Sequence, residues 1–445
     1  MANKSLQHSS LTDNIFYRSM LAGNAPFSPT TGYWIYTWAT RPTIGSYYWQ
    51  YNQKRPQMVY GDNATSDAHQ VVNWDSNSGE IVSQFYIEGV SPDTRVTALN
   101  ARGTNNYDYI AVNDESTGNS DVVVLQFDAQ SSTPNWQQRF GVSPNYKLNG
   151  NGVDSSENYY FLARTENPEN SVFTKLNSSG VVQWQKLVQE DYGRSMHTNA
   201  SGQSLTRYLN NDFIMFDANG NIDFQTGGVV YIQNGAVASN FGNAHHFVDS
   251  SGNSYTYGYA LSNNDYGALI KFNASGAVIW QKSLYIAGGA TTGRALGEAS
   301  DGSLLILIQD GAVPVIVSID TADGSINWQR EMTYSEAGIA IDGSSVTGDV
   351  VPDKGGLLFD FRARLIGGSY EYKSVIFYPD DGSAIGSFDN GIGVYNFAVS
   401  TRVTLANLSN NFSTLSNSTS NVNYSLGSTS MTIGATTYSG TPTVI

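Results

Sequence analysis

The chain has 445 residues, 40% of them hydrophobic and 12% aromatic, which is enough apolar surface for a substantial core. Its net charge of −15 argues against nucleic acid or an anionic membrane surface as the main partner, since either would require a positive face. The lack of cysteine excludes disulfides, thiolate catalysis and Cys-ligated zinc.

Residues 1–43 begin with one early lysine but no continuous apolar stretch, so no secretory signal is expected. No 18-residue apolar run follows anywhere, so no transmembrane helix is expected either. A short helix is predicted over 9–22, capped by Ser9 or Ser10. The aromatic run from Tyr33 to Tyr51 reads as strand packing more readily than as a platform for sugar rings.

From residue 44 to 391 one short pattern recurs: an apolar run, a Gly/Asn/Asp turn, a second apolar run, then usually Trp-Gln. The clearest copies are FTKLNSSGVVQWQKL (173–187), LIKFNASGAVIWQKSL (269–284) and VSIDTADGSINWQRE (317–331). With the Trp position as anchor, the copies fall at Ser83, Trp136, Trp184, Phe224, Trp280, Trp328 and Ser387, 40 to 59 residues apart. Such a recurrence of short strands predicts an all-β fold, a seven-bladed β-propeller. Each repeat reads as four strands; in one, 290–300, 303–311, 314–320 and 325–332 are the expected strands. The first repeat is fainter, with strands near 47–51, 57–61 and 69–74. Asn-Gly, Asp-Gly and Ser-Gly pairs supply the positive φ that tight hairpins demand. Each Trp is expected on the outer strand, filling the gap to the next blade, with the following Gln facing solvent or a neighbouring blade.

Residues 392–445 are rich in Ser, Thr and Asn and carry no charged side chain after Arg402. The alternation in 422–440 predicts strands that pair with an outer blade edge or with another subunit. Either terminal segment is a candidate for closing the ring.

The hairpins IDTADGSINWQ (319–329) and FNASGAVIWQ (272–281) resemble the repeats of pyrroloquinoline-quinone-type propellers. The resemblance implies propeller architecture; the cofactor-sandwiching residues, calcium ligands and catalytic acid of the quinoprotein enzymes have no match, so no cofactor is expected. The absence of cysteine and signal, together with Asn/Ser/Thr/Gly-rich strands and an uncharged tail, resembles bacteriophage tail, fibre and other virion proteins. That resemblance implies a non-enzymatic structural or attachment protein in a virion, docked to other virion proteins through its terminal segments.

One candidate site follows from aligning the repeats. Arg95, Lys147, Arg194 and Arg294 each lie seven residues before a turn position (Arg102, Asp154, Ser201 and Asp301), near the start of the innermost strand. That register falls at one rim of a propeller channel, where cations would hold an anionic ligand such as an acidic host glycan. The alternative is pairing with acids such as Asp93, Asp191 or Glu298. A carbohydrate-binding or carbohydrate-cleaving propeller using this rim is the competing function. No metal is expected: Asp217 to Asp223 spaces oxygen ligands like a calcium loop but lacks its glycine and glutamate, and His245 and His246 would point to opposite faces of a strand. Catalytic motifs are absent.

Overall fold

In the computed structural model, the described residues are the strands named below and most connections between residues 146 and 408; apart from Val71, the described side chains lie within 107–408. No helix occurs among the described residues. Ile15–Phe16, inside the predicted helix, is a strand on the edge of Trp34–Thr40, whose open backbone groups it pairs. The rest of 9–22 lies outside the described residues.

Among the described residues, seven antiparallel sheets account for nearly all strands, and consecutive strands build the first six. Sheet I comprises Trp49–Tyr51, Gln57–Gly61, Ala68–Trp74 and Ile81–Glu88. Sheet II comprises Leu99–Arg102, Tyr107–Asp114, Asp121–Asp128 and Pro134–Phe140. Sheet III has Tyr146–Val153, Tyr159–Glu166, Glu169–Leu176 and Val182–Val188, and sheet IV has Ser195–Thr198, Ser204–Arg207, Phe213–Phe216 and Ile222–Gly227. Sheet V runs Gly242–Val248, Ser254–Tyr259, Tyr266–Phe272 and Val278–Ile286. Sheet VI runs Thr292–Glu298, Leu304–Asp310, Val313–Ile319 and Ile326–Ser335, within a residue or two of the predicted segments except at its end. A separate two-stranded ladder joins Val230–Tyr231 to Val237–Ala238.

Sheet VII departs from the chain order. Ile341–Val351, Gly356–Leu365 and Glu371–Pro379 supply three strands, and Trp34–Thr40 supplies the fourth. The seventh anchor, Ser387, is therefore not on the outer strand of its own repeat. Gly386–Asp389 pairs instead with Val394–Val399, at the far edge of sheet VI. The place it was expected to fill is already taken by the N-terminal strand.

The first strands of the sheets are neighbours in chain order, from Trp49–Tyr51 round to Ile341–Val351, which also lies beside Trp49–Tyr51. Middle strands are buried on both faces along Phe213–Phe216 and the first five residues of Leu304–Asp310, which explains the unbroken apolar runs FIMF and LLILI. Fourth strands such as Ile326–Ser335 show a mixed burial pattern, since one face meets solvent.

Beyond Val394 the chain travels back past the sheets in reverse order and lays one strand on each. Val394–Val399 pairs with the fourth strand of sheet VI, Val403–Asn407 with that of sheet V and Ser413–Thr414 with that of sheet IV. Thr419–Asn421, Leu426–Gly427 and Thr432–Ala435 follow on sheets III, II and I. Thr443–Val444 ends the circuit on Trp34–Ile35 of sheet VII. The C-terminal strands thus occupy outer sheet edges, one of the two placements their composition allowed.

Candidate functional site

The Trp-bearing hairpins fix how neighbouring sheets meet. In sheet III, Asn177 Oδ1 accepts from the backbone N–H groups of Ser179 and Val181, folding a tight turn that ends at Gly180 with φ +77°. Trp136 of sheet II lies on that glycine, where a Cβ would sit 2.9 Å from the indole, and its Nε1–H donates to Ser178 O at 3.0 Å. The device recurs. Trp184 donates to Ala218 O at 3.3 Å and Trp280 to Thr321 O at 3.1 Å, while Phe224 covers Gly276 and Trp328 covers Gly382. The residue opposite the aromatic often joins in: Gln126, Lys175 and Lys271 each donate to the same carbonyl as the neighbouring indole. Sheets II to VI are therefore each keyed to the turn of the next sheet, and these tryptophans are structural.

The rim cations are positioned by the first strands. Lys147 lies in Tyr146–Val153 of sheet III, and Arg294 sits at a register shift between Gly293 and Ala295 in sheet VI. Arg95 and Arg194 fall outside the described residues, and the side chains of Lys147 and Arg294 are likewise not described. Two further cations belong to the same end of their sheets. Arg164, half-buried, is the cross-strand partner of Lys147. Arg207, 3% exposed, is the partner of Ser195, the residue after Arg194. Counting across the first hairpin finds Arg207 but not Arg164, because a register shift between Leu148 and Gly150 moves the pairing by one residue.

Arg207 stands at the face between sheets IV and V. His246 enters the same region from sheet V, buried against the Phe213 ring at 5.9 Å. Neither of its ring nitrogens has a hydrogen-bond partner. Burial first, then the charges of Arg207, His245 and His197, holds His246 well below its ordinary 6.5, so the ring is neutral. His245, its neighbour along the strand, is more exposed, in keeping with the alternation of strand faces. His197 joins the two first strands: its Nδ1 accepts from Val248 N–H at 3.1 Å, and its ring packs on Phe247 at 4.9 Å.

The Asp217 loop is a turn. One carboxylate oxygen accepts from the N–H groups of Asn219 and Asn221, both at 2.8 Å, and the other accepts from the Asn221 amide at 3.0 Å. Among the described residues, no group of three His, Asp or Glu side chains is arranged to hold a metal ion.

No family model matches the chain, and no curated protein matches it. Similar solved structures include a protein of unknown function from Bacteroides caccae, at 12% identity and a TM-score of 0.35, covering 62% of this chain and 93% of that one. The Dos1 propeller aligns at 10% identity and a TM-score of 0.34, over 74% and 67% of the two chains. A quinohemoprotein alcohol dehydrogenase from Pseudomonas putida HK5 aligns at 11% identity and a TM-score of 0.42, over 74% and 66%. Likeness at this level says nothing about activity.

Proposed function

We propose that the chain is a seven-bladed β-propeller acting as a non-enzymatic attachment or scaffold protein of a virion, with an acidic ligand such as a host glycan at its cationic rim. The blade count is supported by the seven four-stranded units and by the cyclic order of their first strands. The observation carrying the ligand reading is the gathering of basic positions at one end of the sheets. Lys147 with Arg164, Arg207 opposite Ser195, and Arg294 all belong to that end, in a chain of net charge −15. A local cation cluster in an acidic protein concentrates anions at that rim alone. Partners reached through the terminal segments would engage the outer side of strands that are themselves seated on the sheets.

The test is a glycan array comparing acidic with neutral oligosaccharides. Arg194→Ala and Arg294→Ala should each weaken binding of the acidic set, and added salt should weaken it further. Binding unchanged in both variants would remove the rim as the site. Electron microscopy of the assembled particle with a labelled chain tests the virion assignment separately.

A further inference from the structure

We propose that residues 394–444 work as a buckled strap, a single strand-forming segment that fastens the outer edges of all seven sheets and opens before they do. This does not depend on what the rim binds. The seating is graded: six residues pair on sheet VI and five on sheet V, but only two to four on each sheet after that. The strap is pinned where it crosses from sheet VI to sheet V. Arg402 Nε donates to Glu331 at 2.8 Å and its Nη1 to Asp310 at 2.9 Å. The Ser400 hydroxyl donates to Glu331 at 3.1 Å.

The Gln of the Trp328-Gln329 pair closes the buckle. Its Nε2 donates to Val403 O at 2.8 Å while its Oε1 accepts from Val403 N–H at 2.9 Å. On sheet V, Leu408 N–H donates to Gln281 O at 3.0 Å, and Lys282 Nζ reaches Asn407 Oδ1 at 2.8 Å. Beyond Arg402 no charged side chain remains to pin the strap, so the far part is held chiefly by backbone pairing. When it lifts, it bares the edges of the fourth strands, which are templates for association.

Arg402 is also the last Lys or Arg in the chain, so cleavage there reports opening of the strap in the unsubstituted protein. Native-state trypsin digestion of the full chain in rising urea, followed by mass spectrometry, compares Arg402 with Lys271, a buried residue inside sheet V. The strap account expects Arg402 to be cut at lower urea than Lys271, releasing 403–445 as the first product. Glu331→Gln should speed the cut at Arg402 roughly two- to fivefold, the effect of losing one partly exposed ion pair, and leave Lys271 unchanged. Amide exchange over Val403–Asn407 should accelerate in proportion. Cleavage of both sites together would overturn the proposal, because the tail would then open only with the whole ring. A Glu331→Gln rate equal to the wild type, or exchange over Val403–Asn407 that does not change, would overturn it too.

Discussion

The keying of one sheet into the next makes a quantitative prediction at Trp280. Its indole is 9% exposed, covers Gly324 of the following sheet and donates to Thr321 O at 3.1 Å. Truncation to Ala removes a buried aromatic and leaves a cavity, at a cost of about 3–5 kcal/mol. The carbonyl is not orphaned, because Lys271 Nζ still donates to it at 2.8 Å. The loss should therefore come from packing and not from an unsatisfied acceptor. Trp280→Phe separates the two contributions: it keeps much of the ring and loses the N–H, which should cost about 1 kcal/mol for the hydrogen bond plus the smaller ring's packing loss. Urea unfolding followed by fluorescence and circular dichroism measures both variants against the wild type. If Trp280→Ala costs under ~1 kcal/mol, or if the two variants cost the same, packing across sheets V and VI is not what the indole supplies.

Two further outcomes follow. Gly276→Ala places a Cβ at φ +81° and 2.6 Å from Phe224, so it should destabilise by about 2 kcal/mol. The same change in a Phe224→Ala background should cost less, and equal costs in a double-mutant cycle would refute the contact. His246 has a folded-state value depressed below 6.5. The unfolded chain therefore takes up the proton first. Its effect on stability is absent above pH 6.5 and grows as pH falls from there toward the folded-state value, at no more than about 1.4 kcal/mol per pH unit. Arg207, His245 and His197 are the charged or titratable groups acting on it. Urea midpoints measured from pH 8 to pH 5 should show this loss in the wild type and less of it in His246→Phe; identical profiles would refute it.

The sheets were legible where burial on both faces forces a continuous apolar run. Leu304–Asp310 and Val313–Ile319 could be read almost to the residue. The anchoring tryptophans were equally legible, because a flat ring against a glycine turn imposes the same residue types at the same offsets. The fourth strand of sheet VII was not. Trp34 pairs with Phe377, and nothing local to either segment encodes a partner so far away in sequence. The order in which the tail strands fall on the sheets was hidden for a related reason. Strands of two to six residues, rich in Ser, Thr and Asn, attach through backbone groups and leave little side-chain pattern. The Gln after Trp328 read as facing solvent or a neighbouring blade, whereas its side chain clamps a strand that the repeat itself does not contain. At the rim, Arg164 and Arg207 were missed because they lie in second strands. The register shift between Leu148 and Gly150 also breaks a simple count across the hairpin.

The account rests on both ends of the chain meeting on sheet VII after the tail has passed every other sheet. Ile35 and Thr443 are Cα partners there, and the chain has no cysteine to confuse the result. The doubly substituted chain, Ile35→Cys with Thr443→Cys, should oxidise to a monomer whose disulfide joins residues 35 and 443. Mass spectrometry of the digested, unreduced protein reads this directly. A linkage that forms only between molecules, or not at all, would contradict the meeting of the two ends on sheet VII.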